Sequence, residues 1–209
     1  MMNEIEIVQG LSPSAVLQKR IFDLFFSFLG LISLWWLIVI AAFLAWLDTG
    51  ENGFFTQDRV GQFGKIFKVI KIRTMRPSSD ISTTVTTSKD VRITILGKFF
   101  RKTKIDELPQ FINVLLGQMS FVGPRPDVVG FADKLTGKDK IILSVKPGIT
   151  SPATLKFRNE EELLAQQKNP EHYNATVIYP EKVRLHIEYI ETYSLWKDVL
   201  CILQTLFKI

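Results

Sequence analysis

Two adjacent carboxylates, Asp106 and Glu107, stand near the start of the run "KIDELPQFINVLLGQMSFVGPRP" at residues 104–126, with Arg101, Lys102 and Lys104 close by on the N-terminal side. A carboxylate among cations suits phosphate chemistry. The cations take anionic oxygens, and the carboxylate, held ionised, serves as a nucleophile or a Mg2+ ligand. Lys71, Arg73 and Arg125 can join the set, and Arg125 is fixed between two prolines in "GPRP", which limits the entropy lost on gripping a phosphate. The plainer reading is an acidic pair that stabilises a helix start by about 0.3–1 kcal/mol. The company of so many cations is what favours chemistry over that reading.

The element that must position the pair is a helix. Leu108, Phe111, Ile112 and Leu115 recur at helical spacing, which predicts a helix beginning close to Asp106 and ending near Gly117, with Pro109 in its first turn. Such a helix points its positive end at the carboxylates. Lys71 falls in "FFTQDRVGQFGKIFKVIKIRTM", whose alternation and paired glycines predict a short β-hairpin turning near residues 61–64. The Ser/Thr-rich stretch at residues 76–88 reads as a mobile surface loop. Arg101 lies on "VRITILGKFFRKTK", an amphipathic cationic helix suited to the headgroup layer or, alternatively, to core packing. At the C-terminus "SLWKDVLCILQTLFKI" is a second such helix, with Leu195, Val199, Ile202, Leu203 and Leu206 on one face and Trp196 suited to an interface.

Residues 24–47 carry no charge over about 24 positions, more than the roughly 20 needed to cross a bilayer. The polar turn "DTGENG" follows, without the small-residue cleavage site of a signal peptide. Lys19 and Arg20 precede this segment and many cations follow it, so a simple crossing places one basic flank outside, whereas a helix that dips and returns keeps both in the cytoplasm. Both topologies stay open. A return needs a break whose backbone groups are locally satisfied, and Ser27, Gly30 and Ser33 are the small or polar residues available.

Lys and Arg outnumber Asp and Glu 26 to 21 while 46% of the 209 residues are hydrophobic, a pairing that favours a membrane surface over nucleic acid. The single cysteine, Cys201, excludes an internal disulfide, and two scattered histidines offer no metal-ligand spacing. The expected fold is α+β and mainly helical. Residues 1–18 form an N-terminal segment, 19–48 a re-entrant or spanning membrane helix, and 49–209 a compact cytosolic domain with amphipathic interfacial helices and the short hairpin.

Taken in order, "KRIFD", "FTQDRVG", "IFKVIKIRTM", "DELPQFINVLLGQMSFVGPRP" and "KPGIT" resemble the bacterial sugar transferases, monotopic phosphoglycosyl transferases that move a sugar 1-phosphate from a nucleotide sugar to polyprenyl phosphate. The resemblance runs through nearly the whole chain. It implies that Asp106 is the nucleophile, that a covalent phosphosugar forms on it with release of UMP from a UDP-sugar, and that Mg2+ bridges Asp106 and the donor's pyrophosphate. Glu107 would assist as base or help place the ion. Lys71, Arg101, Arg125 and, after the "PGIT" motif, Arg158 would contact phosphate and nucleotide. It further implies undecaprenyl phosphate as acceptor, membrane lipids as surroundings, no nucleic-acid partner, a cytoplasm-facing site at the bacterial inner membrane, and a place in surface glycan assembly. A non-catalytic membrane-anchored scaffold is the alternative. Two departures stand out. The Ser-Pro break of many relatives is replaced by "SLWWL", and residues 151–182 replace the segment usual after "PGIT".

Overall fold

The computed structural model describes residues 10–77 and 86–207. The expected surface loop at residues 76–88 lies largely outside them. As expected, the fold is mainly helical with a small hairpin.

Helix α1, Pro13–Thr49, begins earlier than the membrane segment read from sequence. Ser12 caps it, its hydroxyl accepting from the Ala15 N–H at 3.3 Å, and Pro13 occupies the first turn. Gly50, at φ 73°, ends it with an N–H to the Trp46 carbonyl. At 37 residues α1 is about 55 Å long. It is continuous through Ser27, Gly30 and Ser33, where a return needs a break, and the Ser27 hydroxyl donates to the Leu24 carbonyl within the helix.

The faces of α1 are reversed relative to a soluble helix. Its buried stripe is mostly small or polar, comprising Lys19, Asp23, Ser27, Ile38, Ala41, Ala42 and Ala45, while Phe25, Phe28, Trp35, Trp36, Phe43 and Trp46 are exposed. An apolar outer face of this size suits lipid rather than water. The stripe keeps α1 against the domain at both ends. Ile38, Ala41, Ala42 and Ala45 pack on Ile72 and Phe100, and Arg20 donates to the carbonyls of Val114 and Leu115 at 2.7 and 2.9 Å.

The hairpin pairs β1, Phe54–Val60, antiparallel with β2, Ile66–Ile72, around a turn where Phe63 and Gly64 have positive φ. Helix α2 is Ile95–Thr103 and α3 is Gln110–Leu115. A second sheet was not foreseen: β3, Ser120–Val122, lies parallel to β4, Gly148–Thr150, so that "SFVGP" and "KPGIT" are neighbours. A Cβ on Gly148 would lie 2.1 Å from the Gly123 nitrogen, and one on Gly123 would lie 2.4 Å from the Lys146 carbonyl oxygen, so both motif glycines serve close backbone approach.

Past β4 come α4 (Pro152–Lys156), α5 (Glu160–Ala165), α6 (Pro170–Tyr173), α7 (Tyr179–Glu191) and α8 (Leu195–Phe207). The largest core joins Val122, Ile141, Ile142, Val145, Val183, Tyr189, Ile190 and Cys201. Ile95 and Phe99 on α2 are exposed, as are Trp196, Leu200, Leu203 and Phe207 on α8, which gives both helices the apolar outer face expected of interfacial elements. On α8 that face differs in part from the predicted one, because Asp198 and Cys201 take the inward positions and leave Leu195, Val199 and Ile202 half-buried.

Candidate active site

The acidic pair does not start α3, contrary to the helical spacing. Asp106 and Glu107 sit in a separate 3-10 turn, Ile105–Glu107, and α3 begins only at Gln110 after Pro109. The apolar spacing misled because the side that α3 buries in the domain is partly polar: Gln110 and Asn113 are buried, while Leu108, Phe111, Ile112 and Leu115 are half-buried. Asn113 ties α3 to β2, accepting from the Ile70 N–H at 3.0 Å and donating to the Lys68 carbonyl at 2.8 Å. Between α2 and the turn, Lys104 has φ 61°, a left-handed conformation costing a non-glycine residue about 1–2 kcal/mol. This sharp corner carries the chain from α2 directly into the acidic pair.

Both carboxylates are 7% exposed, yet they are treated differently. Glu107 Oε1 takes Lys71 Nζ at 3.3 Å and Arg125 Nη2 at 3.2 Å. Burial alone would raise the Glu107 carboxyl, but Lys71, Arg125 and Lys104 outweigh it and hold it below the usual carboxylate range. Asp106 Oδ1 is buried with no hydrogen-bond partner. Burial, then the charge of Glu107, push the Asp106 carboxyl up to about 6 against the pull of Lys71, Lys104 and Arg101. The cations expected to hold Asp106 ionised therefore grip its neighbour.

Of the six residues that the resemblance assigns to the site, Glu107, Lys71 and Arg125 form one contact cluster, with Asp106 next to Glu107 and within electrostatic reach of Lys71. Arg101 stands at its edge, within electrostatic reach of Asp106, and its Nη1 meets Glu161 Oε1 at 2.6 Å. Arg158 is apart: it is exposed, and its Nη2 donates to the Gln204 carbonyl at 2.8 Å.

The sequence profile of bacterial sugar transferases matches residues 14–209, which includes every residue of this cluster. The chain belongs to the bacterial sugar transferase family. It is 37% identical over 207 residues to a galactosyl transferase, CpsE, of Streptococcus agalactiae, covering 92% of this chain and 42% of that protein. A UDP-glucose:undecaprenyl-phosphate glucose-1-phosphate transferase of Xanthomonas campestris is 34% identical over 203 residues, 93% of this chain and 39% of the relative. The uncharacterised sugar transferase EpsL of Bacillus subtilis is 33% identical over 186 residues, 88% of this chain and 84% of its own length. The chain thus spans less than half of the first two of these relatives.

In this member of the family, the residues behind the cluster were not anticipated from the sequence. Arg59 on β1 is half-buried, its guanidinium lowered to about 10 by desolvation and by Arg125, and it donates to the Pro126 carbonyl at 3.2 Å. The Asp127 carboxyl is pushed up to about 6 by burial, against Lys182 and Arg59. Its place directly after "GPRP" was the available signal. Among the described residues no group of three or more acidic, histidine or cysteine side chains stands ready for a metal. Mg2+ keeps several waters and takes one or two carboxylates plus substrate phosphates, so a buried carboxylate with one open oxygen fits it.

Proposed function

We propose that this chain transfers a sugar 1-phosphate from a UDP-sugar to undecaprenyl phosphate in two steps at Asp106. The observation that carries the reading is the unpartnered, buried Oδ1 of Asp106 beside a Glu107 already neutralised by Lys71 and Arg125. An oxygen that makes no hydrogen bond loses none when it attacks. The printed activity of the Xanthomonas relative, a glucose-1-phosphate transfer to undecaprenyl phosphate, supports the same donor and acceptor classes here.

In the first step Asp106 Oδ1 bonds to the phosphorus that bears the sugar, the bond from that phosphorus to the bridging oxygen breaks, and UMP leaves with the electron pair. In the second, an oxygen of the acceptor's phosphate attacks the same phosphorus, and breaking the acyl-phosphate bond returns the Asp106 carboxylate. Splitting the transfer lets two anionic substrates use one cationic site in turn. Arg125, rigid between its prolines, and Lys71 share the donor's charge with Glu107, and Arg101 lies within electrostatic reach of Asp106. Mg2+, held by Asp106 and supported by Glu107, would supply charge neutralisation on the phosphate oxygens. The proposed place for this chemistry is the cytoplasmic surface of the bacterial inner membrane, and the exposed apolar faces of α1, α2 and α8 support contact with lipid.

The test is incubation of the purified chain in lipid with labelled UDP-sugars, undecaprenyl phosphate and Mg2+. UMP release and, without acceptor, label retained on the protein are expected, and Asp106→Asn retains none. An Asp106→Asn protein that turned over normally would remove the nucleophile from this scheme.

A further inference from the structure

The four cations that the resemblance assigns to the substrate's phosphates and nucleotide are engaged without a ligand. Lys71 and Arg125 share Glu107, Arg158 rests on a carbonyl, and Arg101 faces Glu161. A donor bearing a diphosphate must therefore displace something, and the contacts differ in how readily they yield. Glu107 is nearly sealed. The Glu161 side chain is 44% exposed against 9% for Glu107, and exposed ion pairs add little net stability.

The geometry points to Glu161 as a placeholder for a donor phosphate: its carboxylate holds the Arg101 guanidinium at the edge of the site until a phosphate oxygen of the nucleoside diphosphate takes the same bond. This rests on the transfer reading given above. Arg101 is already aimed, since its Nε donates to Thr74 Oγ1 at 3.0 Å and its Nη2 lies 3.2 Å from Met75 Sδ, leaving Nη1 as the edge that meets Glu161. A carboxylate and a phosphate present similar oxygens to that edge, so one can replace the other without turning the guanidinium.

The neighbouring acid makes the same kind of contact. Glu160 binds Lys182 at 2.7 Å and lies close enough to Arg125 to raise it, so the N-terminal turn of α5 reaches toward the cluster from two sides. Both acids belong to residues 151–182, the stretch that departs from the usual family segment. Glu161 also accepts the Ser88 N–H through its carbonyl at 3.1 Å, so release of its side chain leaves α5 tied by backbone. Donor binding and the Glu161 side chain therefore compete for one edge of the Arg101 guanidinium.

The experiment titrates UDP and inorganic pyrophosphate, each with Mg2+, into the full chain in lipid nanodiscs by calorimetry. Wild type, Glu161→Gln, Arg101→Ala and the double variant are compared, with thermal melting to verify folding. Glu161→Gln, freed of the competing charge, binds both ligands about two- to fivefold tighter. Arg101→Ala binds more weakly, and in its background Glu161→Gln makes no difference. Equal or weaker binding by Glu161→Gln, a gain that persists without Arg101, or no binding by wild type overturns the placeholder. In turnover the donor KM of Glu161→Gln falls by the same factor and by more than kcat changes, a split that mere loss of a structural tie does not produce. Tight UDP binding without turnover of any UDP-sugar would sink the transfer reading while leaving the placeholder supported by the binding data.

Discussion

Two buried acid–base clusters in this molecule follow opposite rules. Near the start of α1, Lys19 pairs with Asp198 of α8, the Tyr189 hydroxyl donates to Asp198 Oδ1 at 2.6 Å, and Lys19 reaches the same hydroxyl at 3.3 Å. One turn along, Asp23 Oδ1 accepts from the Ser120 hydroxyl at 3.0 Å and the Phe121 N–H at 3.1 Å. These groups close on one another. At the other cluster, two cations share one oxygen of Glu107 while Asp106 keeps an oxygen with no partner. A buried polar group left unpaired costs stability, so a fold keeps one only where another requirement holds it there. The closed cluster fastens α1 to the domain, and in the proposed reaction the open one keeps a nucleophile available.

The same substitution, Asp to Asn, should therefore act in opposite directions. Asp106→Asn lowers turnover by about 10^4-fold or more, because the amide is no nucleophile. Its effect on stability has the reverse sign. With its carboxyl raised to about 6, the folded chain holds more protons than the unfolded one between about pH 4 and 6, so stability is lost as pH rises through that window. Removing the charge should raise stability at neutral pH by about 1–3 kcal/mol. Thermal or denaturant melting checks this, and a large loss of stability in Asp106→Asn would mean that the aspartate is a structural anchor after all.

Asp198→Asn leaves the Lys19 ammonium buried without its counter-charge. The expected cost is about 3–5 kcal/mol. Burial raises the Asp198 carboxyl even beside Lys19, which marks the pair as expensive to form and more expensive to break. Replacing both partners, as in Lys19→Met with Asp198→Leu, should recover most of the loss. Failure of the double variant to recover would show that the pair does more than fasten α1.

How much of this contrast could be read from the chain depends on how local each signal is. The hairpin and the apolar run of α1 were legible because alternation, glycines and absence of charge are properties of adjacent residues, whereas the apolar face of α2 is divided, with Ile95 and Phe99 outward and Phe100 buried against α1. The acidic pair was legible as a place, since its cations lie within a few residues or on the predicted hairpin. Which carboxylate those cations would grip was not legible, because it turns on the Lys104 corner and on Arg125 returning from beyond β3. The buried face of α3 was misread because Asn113 earns its inward position only through bonds to β2. The parallel pairing of β3 with β4 was missed because each strand is three residues long and the connection between them is long. Lys19 and Asp198 are 179 residues apart, and nothing in "KRIFD" announces so distant a partner.

The pH dependence of the first half-reaction sharpens the comparison most finely, since it probes the cause of the raised Asp106 carboxyl. Release of UMP without acceptor is the step to follow, because a phosphate monoester acceptor itself titrates near pH 6. If Asp106 must be ionised to attack, the second-order rate of the single-turnover UMP burst falls about tenfold per pH unit below about 6. Burial is the first cause of the raised value and the charge of Glu107 the second, opposed by Lys71. In Glu107→Gln the neighbouring negative charge is gone and Lys71 loses its competing partner, so the acid limb should move to lower pH even as the maximum rate drops. A limb that stayed in place would assign the shift to burial alone, and one already near pH 4 in the wild type would show that Lys71, Lys104 and Arg101 offset both burial and Glu107.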